Sequence, residues 1–135
     1  NPKTIAPQGW HVPTDEEWLT LVDYLISNGY NWDGTTTGIK IAKSMAAKAD
    51  WVACSTIGTI GADITKNNKT GFSAIPDGFR TSDGSFNRFG HSCSWWSTTK
   101  QDTKIACDHS LYYDHDDLSI IDYMSCGFSI RLIKD

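Results

Sequence analysis

GWHVPTDEEWLTLVDYLISNG, residues 9–29, is the stretch on which the fold turns. Thr14 is placed to cap a helix, and Glu17, three residues on, can return a hydrogen bond to the cap, which satisfies two otherwise orphaned backbone donors. Asp15, Glu16 and Glu17 fall where the helix dipole favours negative charge. Trp18, Leu21, Val22 and Leu25 follow at i, i+3, i+4 and i+7, and Gly29 stops the run after Asn28. The pattern predicts an amphipathic helix over 15–27, packed on a core by one face.

Outward from it, a shorter second helix is expected at about 38–48, with Ile39, Ala42, Met45 and Ala46 inward and Lys40, Lys43 and Lys48 outward. YNWDGTTTG at 30–38 and the aperiodic segment 54–70 read as loops. Strand signals begin after residue 70. Pro76-Asp77-Gly78 and Ser82-Asp83-Gly84 are turns, and short strands are expected at 93–98, 104–107, 110–113 and 127–133. Trp10, Trp18 and Trp51 are assigned to the core with at least one of Trp95 and Trp96, since adjacent strand residues face opposite sides. Arg80 and Arg131 are expected as buried partners of carboxylates, and His11 as structural. Helices followed by short antiparallel strands make one α+β domain over 1–135.

Composition narrows the function. The net charge is -4 and the pI about 5.4, which argues against a nucleic-acid partner. Six aspartates (102, 108, 114, 116, 117, 122) stand against one lysine (104) between 102 and 122, so anionic glycans and membranes are repelled there. No apolar run reaches the roughly 20 residues that cross a bilayer, and no signal peptide is recognisable, so the chain reads as a mature or truncated piece and membrane insertion is not expected. The four cysteines (54, 93, 107, 126) are an even number, which suits disulfides, but their spacing does not pair them; without a C-x-x-C, zinc and thioredoxin-type sites have little support.

The stretch DHSLYYDHDDLSIIDYMS at 108–125 reads as a displayed recognition surface, rich in Asp and Tyr and lacking Glu. Tyr112, Tyr113 and Tyr123 are the flat anchors. Asp108, His109, Asp114, His115, Asp116, Asp117 and Asp122 supply hydrogen bonds and a negative field, bordered by His91 and Ser94. The partner expected is a protein or a neutral glycan, with protein favoured because no deep pocket is signalled. No metal or other cofactor is expected, since neighbouring strand residues point apart and do not make a ligand shell. Catalysis is not expected either, because Asp108 beside Cys107 opposes thiolate formation.

Five ordered blocks, GWHVPTDEEW at 9–18, GFSAIPDGFR at 71–80, GSF at 84–86, SWWSTT at 94–99 and GFSIRLIKD at 127–135, resemble the Fibrobacter succinogenes major paralogous domain, a family of bacterial extracytoplasmic modules. The family's earlier N-terminal segment is not present in this sequence. Where members carry a Cys before the Gly-Trp pair this chain has Pro7-Gln8, and the near-terminal Cys is Leu132, so the disulfide state stays open. The resemblance implies a C-type-lectin-like fold, two helices flanking a small twisted antiparallel sheet with long loops, and a location on the bacterial surface or a phage particle. It also implies kinship with variable proteins of diversity-generating retroelements, in which adenine mutagenesis yields residues such as Tyr, Asp, His, Ser and Cys. Between 87 and 126 lie three of the four His, three of the four Cys and three of the five Tyr. Rival readings are a calcium-dependent sugar binder, although the Glu-Pro-Asn, Gln-Pro-Asp and Trp-Asn-Asp motifs do not occur, and a structural module of a surface protein. A formylglycine-generating-type oxidase ranks last, because its closely spaced cysteine pair is missing.

Overall fold

The cap forms as its spacing predicts. In the computed structural model, which describes residues 5–100, 106–123 and 126–135, helix α1 spans Asp15–Ser27. Thr14 Oγ1 accepts the Glu17 N–H at 3.2 Å, and the Glu17 carboxylate accepts the Thr14 N–H at 2.9 Å. Trp18, Val22 and Leu25 are buried.

Helix α2 is much shorter than expected, only Ala42–Met45. The carbonyls of Lys43, Ser44 and Met45, which would extend a helix, instead accept the amides of Asn68, Thr70 and Ala74. Ala46 turns extended and bridges Ala74. Lys43, expected outward, points inward and is 7% exposed. Its ammonium donates to the carbonyls of Thr59, Ala62 and Asp63 and to Asn67 Oδ1. Ile39, expected inward, is exposed.

Among the described residues the strands form three antiparallel sheets. β1 (Trp10–His11) pairs with β7 (Ile133–Lys134), β2 (Phe79–Arg80) with β3 (Phe86–Asn87), and β4 (Ser92–Lys100), β5 (Ala106–Tyr112) and β6 (Ser119–Tyr123) follow in that order. The segments expected at 104–107 and 110–113 are replaced by the one strand β5, residues 104 and 105 lying outside the described ones. β6 has no counterpart in the sequence expectation. Of the strand expected at 127–133, only Ile133 belongs to a paired strand, while Gly127 and Ser129 make isolated bridges to Arg80 and Trp95.

One hydrophobic cluster, including Trp18, Val22, Leu25, Ile41, Met45, Trp51, Ile60, Cys93, Trp95, Leu111 and Leu118, joins the helices to the three-stranded sheet. Trp18 stacks on Trp95 at 5.7 Å and on His109 at 4.9 Å. Trp18, Trp51 and Trp95 are core as expected; Trp10 is not, at 44% exposed on a two-residue strand paired only with β7. Arg80 and Arg131 also lie at the surface. The Arg131 guanidinium is 4.1 Å from the centroid of Phe72, covering the ring while its charge stays in water. His11 is structural, its Nδ1 2.6 Å from Asp135 and its Nε2 2.8 Å from Glu17, which ties β1 to α1 and to the end of the chain. Cys54, Cys93, Cys107 and Cys126 are thiols rather than halves of disulfides. Among the described residues no helix is long and apolar enough to cross a membrane.

Candidate functional site

The structure divides the residues expected to form the binding surface. Ser94, Asp108 and His109 are interior, at 3%, 1% and 0% exposed; for these three the surface expectation is corrected. β5 is the central strand of its sheet and is buried on both faces from Cys107 to Leu111. Its buried polar side chains bond to one another and to neighbouring elements. Ser94 Oγ lies 2.5 Å from Ser110 Oγ, and Ser110 Oγ donates to Asp108 Oδ2 at 2.5 Å. His109 Nε2 is 3.0 Å from Asp15 Oδ1. Burial pushes the imidazole below its ordinary value, against the upward pull of Asp15, so the ring is neutral at pH 7 and donates through Nε2–H. Burial raises Asp15, but the side chains of Ser97, His109 and Cys107 hold it below the ordinary carboxylate value.

Seven expected residues do reach the surface. Asp114 and His115 are exposed, and His91, Tyr112, Tyr113, Asp116 and Asp117 are half-buried. Asp122 and Tyr123 lie on β6, and their side chains are outside the described residues. The loop from β5 to β6 is held by its backbone. Tyr113 N–H donates to His91 O at 2.9 Å, and the amides of Gly61, Ile60 and Ala42 donate to the carbonyls of Tyr113, His115 and Asp116 at 2.7, 3.3 and 3.0 Å. Three segments distant in sequence therefore clamp it. On this frame Tyr113 meets His91 edge-on at 5.1 Å, Tyr112 lies 5.3 Å from His115, and His115 Nδ1 lies 2.9 Å from Asp114 Oδ1.

Trp32 joins this face without having been singled out in the sequence. Its Nε1–H donates to Asp116 Oδ2 at 3.0 Å, and it is 39% exposed. It stands in a loop closed by the buried amide of Asn31, whose Nδ2 donates to the carbonyls of Thr37 and Gly38 and whose Oδ1 accepts the Lys40 N–H. The available signal was its neighbours: Asn31, Asp33 and Gly34 are turn formers, so this tryptophan belongs to neither a helical nor a strand period. Beside it opens a cleft of about 760 Å³, lined in part by Asp33, Cys54, Ile57, Gly58, Asp63 and Lys66. Hydrogen bonds from the Thr56 N–H and from the Thr59 and Thr56 hydroxyls lower the Cys54 thiol below its usual value. Among the described residues no group of three His, Cys, Asp or Glu is placed to hold a metal ion.

A family model described as the Fibrobacter succinogenes major domain matches residues 1–134. No curated protein and no solved structure matches the chain significantly.

Proposed function

The chain belongs to the Fibrobacter succinogenes major domain family, and from that premise we propose that it is a non-enzymatic recognition domain of C-type-lectin-like fold that offers the β5–β6 loop face to a protein or a neutral glycan, with protein favoured. The observation that carries this reading is the clamped loop: His91, Tyr112, Tyr113, Asp114, His115, Asp116 and Asp117 present side chains from a backbone already held by four hydrogen bonds to other segments. A surface ordered before contact loses little conformational entropy on binding. Tyrosine rings give area at low entropic loss, and the three acids and two histidines give adaptable polar contacts. The acidic character favours a basic or neutral partner.

The diversified reading narrows to these exposed positions, because Ser94, Cys93, Cys107, Asp108 and His109 sit in the interior, where random exchange destabilises a packed core. A bacterial outer surface or a phage particle is the setting that goes with such a role.

Sequencing copies of the gene from related strains tests the proposal: variation concentrated at His91 and 112–117, with constant flanks, sustains it, and uniform divergence along the chain ends it. A binding assay on arrays of host surface proteins and neutral glycans gives the second arm. The wild-type chain is expected to bind at least one array component, and a Y112A/Y113A/H115A/D117A variant of unchanged thermal stability is expected to lose that binding.

A further inference from the structure

We propose that the cleft beside Trp32 is a second binding site, for a neutral saccharide, with the Trp32 indole as its stacking platform. The cleft adjoins the loop face and shares with it the bond between Trp32 and Asp116.

The ring is fixed before any ligand arrives. Its Nε1–H is engaged by Asp116, its backbone N–H donates to Lys40 O at 3.0 Å, and Gly58 passes so close that a Cβ there would lie 2.2 Å from Trp32 Cε2. Gly58 also has φ +89°, a conformation that glycine adopts freely. A half-exposed aromatic held in one orientation beside open space offers an apolar face to the C–H face of a sugar ring without loss of rotamer freedom.

The polar lining selects a neutral ligand. The charged groups on the wall are already engaged, Asp33 by Lys40, Asp63 by Lys66 at 3.3 Å, Lys43 by three carbonyls and Asn67, and Lys69 by the Gly29 carbonyl at 3.1 Å, so a charged ligand finds no unpaired counter-charge. Sugar hydroxyls both donate and accept, as these mixed groups require. A charged ligand would have to break one of these pairings, which a neutral sugar leaves in place. The cleft volume of about 760 Å³ falls within the roughly 300–1,000 Å³ usual for small-molecule sites.

Titration of the whole chain with cellohexaose, xylohexaose and mannohexaose, read by amide and indole chemical shifts, tests the proposal. At least one is expected to bind with Kd at or below about 1 mM, shifting the Trp32 indole N–H, Gly34 and Gly58. W32A should weaken that binding at least tenfold and W32F by less than about threefold, an aromatic face being retained. The Y112A/Y113A/H115A/D117A variant should leave it unchanged, which separates failure here from failure of the loop-face reading. Absence of binding by all three at about 5 mM, or shifts centred on His91 and Tyr113, would overturn the proposal. The shift map stands on the wild-type chain even if W32A does not fold.

Discussion

Lys43 shows what a helical period conveys about one residue and what it does not. Spacing put it on the solvent side, yet its ammonium finds three carbonyls and an amide oxygen contributed from residues 59–67. No local pattern encodes acceptors that arrive from a distant loop. The cysteines divide in a similarly non-local way. Cys93 and Cys107 are fully buried, whereas Cys54 and Cys126 are half-exposed. Burial pushes the Cys93 thiol well above its usual value, while hydrogen bonds lower that of Cys54. Iodoacetamide is therefore expected to label Cys54 and Cys126 in the native chain, and all four only after denaturation. Mass mapping checks this, and native labelling of Cys93 or Cys107 would contradict the packing described.

Among the elements, α1 was legible to the residue because its determinants are local: the cap, the box and the apolar stripe lie within fifteen positions. T14A should accordingly lower stability by about 1 kcal/mol with little change in the denaturant slope, and T14S should recover most of it; equal stability of T14A and wild type by urea denaturation would mean that the cap contributes nothing. α2 was overestimated because amides from 68–74 capture its carbonyls. β5 was misread because a central strand written in Cys, Asp, His and Ser resembles a surface. The usable hint was the alternation of Cys107, His109 and Leu111, which has a strand period and places all three on the face toward Trp18. The same misreading put Asp108 and His109 in the candidate site, with Ser94 of β4 beside them, whereas His91, Tyr112 and residues 113–117 of the candidate set reach the surface.

For the whole molecule, two histidines set opposing responses to pH. His109 is held below its ordinary value by burial, so the unfolded chain takes up a proton below about pH 6.5 that the folded chain refuses, and stability falls as pH falls from there. His11 is raised by its hydrogen bonds to the Asp135 and Glu17 carboxylates. Its contribution is fully present below about pH 6.5 and is lost as pH rises through the higher folded value. Urea midpoints measured from pH 8 to 5 should thus fall more steeply on acidification in H11N than in wild type, and less steeply in H109N; identical slopes in all three would refute the assignment. The clamped loop has an evolutionary corollary. Its restraints run through main-chain atoms, so they are indifferent to which side chain stands at 112–117, proline excepted at 113 and 115, whose amides donate. An added or deleted residue would release at least one of those bonds. Change at this face is therefore confined to substitution, and insertions and deletions are selected against.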